Sequence, residues 1–319
     1  MRILFITLTN IGDVVLSTPL LHRILADHPD AVVDVVVGAK SADLLAGLPQ
    51  LGTLYPVVKK RRHGHYIDLY KQCSQTKYDL IVDLRTPLLG RCLKGRKKII
   101  YKPARGHKAQ QFASLWPSDA PLKPKVWVHK TPELIEYYEK IRAEARPFIA
   151  VAPTANWVGK RWPQGRFAQL MRYIQQDPRF QNHRVVVMGA RPERYMVEDF
   201  LASLPEDKRI DLVGETNLPQ AYAWLKNADM FIGNDSGLGH MAAAAGVPTI
   251  SLFGPMSELS YAPVGSAVMT VAPPKRERHL VNLEKVALPR VMTDISVDKV
   301  YECVVELFDR YKKEEKDIA

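Results

Sequence analysis

The sequence predicts an α/β protein made of two domains, each built around a doubly wound parallel sheet. Its 319 residues, 46% of them hydrophobic, are enough for two cores at roughly 150 residues a domain. Short apolar runs alternate with amphipathic stretches in both halves of the chain. The apolar runs are continuous rather than alternating, which is typical of parallel strands that are covered on both faces.

The first half begins with a predicted buried strand, RILFIT (2–7), followed by a loop and an amphipathic helix over 14–28. Thr7, Thr9 and Asp13 interrupt this apolar start, so a buried strand is favoured over a secretory signal. No run approaches the roughly 18 apolar residues that a membrane span needs. The other predicted strands of this half are VVDVVVG (32–38), YDLIVDL (78–84) and KKIIY (97–101).

Proline-rich sequence over 103–147 interrupts this alternation and is expected to connect two domains, 1–146 and 147–319. The last helix is predicted to begin near Ser296 as N-cap and to run over about 296–316. The other elements predicted in the second half are strands over 147–153, 183–190, 209–214, 229–235 and 248–254, and helices that start near 163 and 192 or cover 217–228 and 237–246.

Charge is concentrated in the first half. Residues 1–146 contain 24 Lys and Arg against 13 Asp and Glu, a net charge of +11, whereas residues 147–319 contain 21 of each kind. The clusters KKRR (59–62) and KGRKK (94–98) lie within the most basic part. Such a field attracts a nucleic acid, an anionic membrane surface or a phosphorylated substrate, while the alternative is a solvated basic face. No stacking motif, zinc spacing or helix-turn-helix signal supports nucleic acid.

The three cysteines are an odd number, widely spaced and without metal-ligand spacing. This pattern favours a reducing compartment, so the protein is expected to be cytoplasmic.

The stretch IGNDSGLGHMAAAAGVP (232–248) places polar residues where a predicted strand meets a predicted helix. Free backbone amides, the positive end of the helix dipole and glycines that let a ligand approach together favour a phosphate or pyrophosphate. His240, one turn into the helix, can donate to the same oxygens. The alternative is a tight turn in which Asp235 is a plain N-cap and His240 only packs.

Two further clusters follow predicted strands. TANWVGKRWP (154–163) carries Lys160, which can neutralise charge on a leaving pyrophosphate, although a surface lysine is the simpler alternative. In TNIGDVVLSTP, Gly12 permits a tight turn, and Asp13 is either a plain N-cap or a general base for an acceptor hydroxyl.

These three motifs together resemble the family 9 glycosyltransferases, the lipopolysaccharide heptosyltransferases that use ADP-heptose. The resemblance covers nearly the whole chain: IGDVVLSTPLLHRILADHPDAVVDVVV matches the N-terminal motif, GKRWPQGRFAQL the lysine motif and NDSGLGHMAAAAGVPTISLFGP the Asp-Ser/Thr-Gly-x-x-His signature. It implies a GT-B fold, in which two Rossmann-like domains face each other across a cleft. The acceptor then binds the first domain and the nucleotide-sugar the second, and the last helix crosses back to the first domain.

The resemblance also implies an inverting reaction with Asp13 as the catalytic base and Lys160 on the diphosphate. Glu193 matches the position that binds the ribose, and Thr216 one beside the adenine. Asn156 stands where relatives often carry a hydroxyl. The full set of expected donor-binding residues is Thr154, Asn156, Lys160, Glu193, Thr216, Asp235, Ser236, Gly237, Leu238 and His240. No Asp-x-Asp motif occurs, so no metal and no other cofactor is expected.

The expected acceptor is the anionic inner core of lipopolysaccharide at the inner face of the inner membrane, where the protein would be peripheral. The expected acceptor-binding residues are Gly12, Asp13, Lys59, Lys60, Arg61, Arg62, Lys97 and Lys98. Three alternatives stay open: a transferase for another nucleotide-sugar or acceptor, a nucleotide-sugar epimerase of the same fold, and a basic nucleic-acid-binding protein.

Overall fold

The computed structural model describes residues 1–58, 60, 64–85, 87–119, 121–273 and 289–318. The chain divides into two compact units, Met1–Lys130 and Thr131–Ala319. This division lies before the boundary expected at residue 146, because a helix over Pro132–Glu144 packs within the second unit, where Trp224 Nε1 donates to Tyr137 Oη at 2.8 Å. Proline is favoured at the start of this helix, because a backbone N–H in the first turn would have no acceptor within the helix.

The first unit is a five-stranded parallel sheet with the order β3-β2-β1-β4-β5. Strand order reverses between β1 and β4, as a doubly wound sheet requires. The strands are β1 (Arg2–Ile6), β2 (Val32–Gly38), β3 (Leu51–Val57), β4 (Tyr78–Asp83) and β5 (Gly95–Ile100). The helices are α1 (Ile11–Asp27), α2 (Gly64–Cys73), α3 (Pro87–Cys92) and α4 (Lys108–Ala113).

The predicted strands of this unit are confirmed, and β3 is an additional one. Only Val57 of its seven residues is buried, and its sequence, LGTLYPV, contains a proline, which is tolerated at a sheet edge. Asp34 is fully buried near the start of β2 and accepts from Arg2, the Thr53 amide and the Tyr78 hydroxyl. One carboxylate therefore fixes the amino ends of four strands.

The second unit is a six-stranded parallel sheet with the order β11-β10-β9-β6-β7-β8, and its strand order reverses between β9 and β6. The strands are β6 (Phe148–Ala152), β7 (Arg184–Val187), β8 (Arg209–Asp211), β9 (Met230–Asn234), β10 (Thr249–Leu252) and β11 (Val268–Val271). The helices are α5 (Pro132–Glu144), α6 (Gln164–Gln176), α7 (Glu198–Ala202), α8 (Leu218–Asn227), α9 (Gly237–Ala244), α10 (Glu258–Tyr261), α11 (Pro289–Thr293) and α12 (Val297–Ile318).

The predicted strands of this half are confirmed, and the last helix begins where its cap was predicted. Lys299 N donates to Ser296 Oγ at 3.2 Å, so Ser296 caps α12. The apolar face of α12 joins the core of the second unit, and the helix contacts α6 and β11. The expected crossing of this helix to the first unit stays a prediction.

A buried aspartate also holds the amino edge of the second sheet. Asp229, just before β9, accepts from the Phe148 amide at 3.0 Å and forms an ion pair with Arg146. In both units, therefore, a buried aspartate joins the strands at the amino edge of the sheet, opposite the predicted sites. Within the described residues, no helix is long and apolar enough to cross a bilayer.

Candidate active site

The main candidate site lies at the carboxyl ends of β9 and β6, the neighbouring strands at which the second sheet reverses its order. Ligands of open α/β sheets bind in the crevice beyond such strand ends. Asn234, the last residue of β9, is fully buried; its Nδ2 donates to the Pro153 carbonyl at 2.8 Å, and its Oδ1 accepts from the Trp162 amide at 3.0 Å. The side-chain amide of Asn234 therefore fixes the chain that follows β6 against the end of β9.

Lys160 and Asp235 form an ion pair at this reversal point. Lys160 Nζ donates to Asp235 Oδ2 at 2.6 Å, and the two side chains are 19% and 7% exposed. Because both are largely shielded from water, the pair is stronger than one at the surface, and it holds the ammonium group at the strand end. Among the described residues, no three His, Cys, Asp or Glu side chains are grouped to hold a metal ion.

The helix α9 starts beside this pair. Ser236 is its N-cap, which overturns the alternative that Asp235 has that role. The Ser236 hydroxyl caps nothing: it is shielded from solvent and has no hydrogen-bond partner in the described chain. Free amides and a hydroxyl without a partner at a positive helix end form a cradle for an anion. Gly237 and Leu238 form the first turn of α9, and His240 is buried one turn in.

Glu193 joins the ends of β6 and β7. Its Oε2 accepts from Thr154 Oγ1 at 2.9 Å and from the Ala190 amide at 2.8 Å, while no described residue donates to Oε1. Gly189 lies beneath this contact, since a Cβ there would be 3.3 Å from Thr154 Oγ1. Oε2 therefore fixes the position of the carboxylate, and Oε1 can accept a hydrogen bond from a ligand.

Two further predicted donor residues lie at the same edge. Thr216 is half-buried in the turn between β8 and α8, next to Asn217, which caps α8. Gly214, with φ +81°, lets this turn approach β7, and its amide donates to the Gly189 carbonyl at 3.0 Å. Asn156 is exposed in the turn after β6. The structure thus brings the predicted donor residues to the ends of four adjacent strands.

The first unit places Asp13 in the first turn of α1, after β1. Asn10 occupies the N-cap position, so the alternative that Asp13 is a plain N-cap is wrong. The half-buried Asp13 accepts from Asn10 Nδ2 through Oδ2 at 3.1 Å, and Gly12 precedes it in the same turn. The preceding loop packs closely on the end of β2, since a Cβ at Gly38 would lie 2.6 Å from Thr9 Cα. The turn that carries the carboxylate therefore follows a closely packed loop.

The predicted basic cluster is divided. Lys60 Nζ donates to Asp68 on α2 at 2.7 Å, a bond that lowers the pKa of Asp68. Lys97 lies over the Trp116 ring at 4.6 Å, whereas Lys98 Nζ donates to the Arg91 carbonyl of α3 at 2.8 Å. Successive strand residues point to opposite faces, so these two lysines of β5 do not act together. The predicted residues Lys59, Arg61 and Arg62 lie outside the described residues.

Sequence reasoning missed Arg85, which follows β4 at the carboxyl edge of the first sheet. β4 is the neighbour of β1, so Arg85 lies beside the strand that leads to Asp13. Its Nη1 is shielded from solvent and has no partner in the described chain, and its guanidinium lies 5.8 Å from the centre of the Tyr66 ring. A shielded guanidinium nitrogen without an acceptor is suited to a carboxylate or phosphate. No sequence pattern marks it, because it is a single arginine.

The sequence model of glycosyltransferase family 9 (heptosyltransferase) matches residues 109–287, more than half of the chain and most of the second unit. The chain belongs to glycosyltransferase family 9. It is therefore a glycosyltransferase, and the match includes Lys160, Asp235 and the start of α9.

Individual relatives agree with this assignment. Lipopolysaccharide heptosyltransferase 3 of Escherichia coli is 26% identical over 291 residues, covering 79% of this chain and 82% of that protein. Among solved structures, E. coli ADP-heptose lipopolysaccharide heptosyltransferase II is 20% identical with a TM-score of 0.74, covering 98% of this chain and all of that one. The family 9 glycosyltransferase of Veillonella parvula is 20% identical with a TM-score of 0.78, covering 97% of both chains. The fold is that of the GT-B heptosyltransferases.

Proposed function

We propose that this enzyme transfers heptose from ADP-heptose to the anionic inner core of lipopolysaccharide, with inversion at the anomeric carbon and without a metal ion. The observation that carries the proposal is the shielded Lys160–Asp235 pair beside the Ser236 hydroxyl at the start of α9, which has no partner among the described residues. The names of the E. coli relatives, which specify lipopolysaccharide and ADP-heptose, support the choice of substrates.

The donor would bind at the carboxyl edge of the second sheet. Lys160, the α9 amides and the Ser236 hydroxyl suit the diphosphate, because each offers positive charge or a donor to phosphate oxygens. Glu193 Oε1, which accepts nothing from the described residues, suits a ribose hydroxyl. The remaining contacts are assigned by family resemblance: Thr216 beside the adenine, and Thr154, Asn156, Asp235, Gly237, Leu238 and His240 around the sugar and phosphates.

Asp13 would act as the general base. Its carboxylate takes the proton of an acceptor hydroxyl while the hydroxyl oxygen attacks the anomeric carbon, and the bond to the ADP oxygen breaks. Lys160 and the positive end of α9 stabilise the negative charge that develops on the departing ADP. These protein groups take the place that a divalent cation has in other transferases.

The acceptor would bind the first unit, which carries the excess positive charge. Gly12 and Asp13 would contact the reacting sugar. The anionic groups would lie near Arg85 and Lys60 and, by the sequence prediction, near Lys59, Arg61 and Arg62. Of the two predicted lysines of β5, Lys97 and Lys98, only one would join them, because the two side chains lie on opposite faces of the strand. An enzyme that binds this acceptor works at the inner face of the inner membrane, so we propose a cytoplasmic, peripheral location.

The test is a transfer assay with defined truncated lipopolysaccharides. We expect ADP release and an acceptor mass increase of one heptose with ADP-heptose, and much slower transfer with ADP-glucose or UDP-N-acetylglucosamine. Each acceptor is offered alone, ending in Kdo, one heptose or two heptoses, to identify the sugar that is used. Equal use of the other donors would overturn ADP-heptose as donor, and isomerisation of the donor without an acceptor would indicate an epimerase instead.

A further inference from the structure

Exposed apolar side chains are concentrated in the basic part of the first unit. Val58, Ile67, Tyr70 and Leu88 are 66%, 60%, 44% and 62% exposed, and they lie within one stretch of the chain. Single exposed apolar residues need no explanation, but several on neighbouring elements indicate a surface that binds something.

Two of them lie on one face of α2. His65, Leu69 and Cys73 form its buried face. Ile67 and Tyr70 are three residues apart and therefore lie side by side on the opposite, exposed face. Lys71, exposed and four residues after Ile67, extends this face with a cation.

The short helix α3 repeats the same combination. Leu89 is buried, whereas Leu88 is 62% exposed. Arg91, three residues after Leu88, is exposed on the same face. The helices α2 and α3 contact each other. Their exposed residues Ile67, Tyr70, Lys71, Leu88 and Arg91 are here called the α2–α3 face.

Further cations lie beside α3. Lys98 Nζ donates to the Arg91 carbonyl at 2.8 Å, so this lysine of β5 is next to α3. Arg96 alternates onto the same side of the strand as Lys98 and is exposed. The only acidic side chain on α2, Asp68, is already paired with Lys60. The surface thus combines apolar residues with positive charge that no acidic side chain pairs in the described part of the chain.

We propose that the α2–α3 face docks on an anionic lipid bilayer. Ile67, Tyr70 and Leu88 would enter the boundary between headgroups and acyl chains, while Lys71 and Arg91 contact lipid phosphates. This combination of apolar burial and electrostatic attraction is the one that holds interfacial helices on anionic membranes. This inference rests on the proposed function, because a lipid-held acceptor is the reason for the enzyme to bind a membrane.

The position of this face in the fold agrees with that role. In a parallel sheet the helix that follows a strand starts at the carboxyl edge, so the first turns of α2 and α3 lie at the same edge as Asp13 and Arg85. Docking there would bring a lipid-held sugar to the predicted acceptor site. A second copy of this chain is a poorer occupant, because two identical basic surfaces repel each other.

The test is co-sedimentation of the full chain with vesicles of phosphatidylcholine, with and without phosphatidylglycerol. Two double variants probe the surface: Ile67→Ser with Leu88→Ser, and Lys71→Gln with Arg91→Gln. Their matched controls lie on the second unit and have the same chemistry at exposed positions: Ile135→Ser with Leu259→Ser, and Lys140→Gln with Arg172→Gln.

We expect the wild type to bind only vesicles that contain phosphatidylglycerol, each surface variant to lose about tenfold in binding, and both controls to bind like the wild type. Failure of the wild type to bind, equal binding to neutral vesicles, or unchanged binding of both surface variants would overturn the proposal. A wild-type dimer that the surface variants dissociate without lipid would assign the face to a second copy instead.

Transfer to a deacylated, water-soluble acceptor separates this inference from the proposed function. All four double variants should transfer heptose to that acceptor like the wild type, since none of the substituted residues belongs to the proposed site. Absence of transfer by the wild type itself would refute the proposed function and leave the vesicle result to judge the α2–α3 face.

Discussion

The candidate site residues at the carboxyl edges of the two sheets differ in how firmly their side chains are held. In the second unit, three separate links join neighbouring strand ends: the Asn234 amide, the Lys160–Asp235 pair and the Thr154–Glu193 bond. In the described part of the first unit, Asp13 is held only by the exposed contact with Asn10, and the shielded Arg85 nitrogen has no acceptor.

The amino edges of the two sheets, in contrast, are alike. Asp34 and Asp229 each accept backbone and side-chain hydrogen bonds from the strands beside them. The difference between the units is therefore specific to the functional edge. A small ligand of constant shape, such as a nucleotide, favours a preorganised site. A large anionic acceptor can instead order the side chains of its site when it binds.

The largest effect should come from the first unit. Asp13→Asn keeps the size of the side chain and removes its basicity, so we expect turnover to fall by about 10²–10⁴-fold. ADP affinity, measured by titration calorimetry, should change by less than about twofold, because the donor groups lie on the other unit. Full turnover by this variant would show that Asp13 is not the base.

Lys160→Ala should lower kcat/KM by about 10²–10³-fold through lost stabilisation of the departing ADP. It should also lower the melting temperature, because Asp235 is only 7% exposed and loses its partner. The double variant Lys160→Ala with Asp235→Asn is the matched control: stability should recover while activity stays low. Recovery of both would mean that the pair has only a structural role.

Arg85→Gln should raise the acceptor KM by about tenfold and leave the KM for ADP-heptose unchanged, because its guanidinium lies on the unit proposed to bind the acceptor. Lys77→Gln, an exposed charge on the same unit, is the control and should leave both values unchanged. Steady-state kinetics with a soluble acceptor measure the two constants separately. Equal changes in both constants would count against an acceptor role.

Added salt should weaken acceptor binding several-fold more than ADP binding, which is a smaller effect than those of the substitutions. Raising the ionic strength from about 0.01 to about 0.15 M shortens the screening length from about 30 to about 8 Å. The proposed acceptor site lies on the unit with an excess of positive charge, so the KM of the acceptor should rise more than the dissociation constant of ADP. Equal sensitivity of the two would contradict the assigned role of the basic residues.

The smallest effect concerns stability in acid. Hydrogen bonding from Arg179 holds the pKa of Asp177, in the second unit, well below its usual range. A carboxyl group with a lowered folded pKa stabilises the fold above its unfolded pKa of about 3.9, and this contribution is lost as the pH falls further. Urea unfolding midpoints should therefore fall less steeply below pH 4 in Asp177→Asn than in the wild type. Parallel slopes would show that the bond contributes nothing.

The sequence was sufficient to predict nine of the eleven described strands and the strand-end motifs, because continuous Val and Ile runs and the changes of pattern after them are local signals. It missed β11 (Val268–Val271), which, like β3, is an edge strand. It was insufficient for β3, whose exposed edge has no such pattern, and for α5, which lies inside the proline-rich segment. Lys97 and Lys98 look like one cluster in sequence, yet the strand pleat sends them to opposite faces. Arg85 and the Asn234 clamp depend on contacts across strands, which a single sequence does not display.

The carbonyl of Ile295, just before α12, accepts hydrogen bonds from Trp162 Nε1 at 3.0 Å and from Arg166. Trp162 follows closely after Lys160, so the lysine segment and the beginning of the last helix share one anchor. Ordering of that segment by a nucleotide should then slow amide hydrogen–deuterium exchange in the opening turn of α12. Mass spectrometry could then detect donor binding at the start of α12, outside the proposed donor-binding residues.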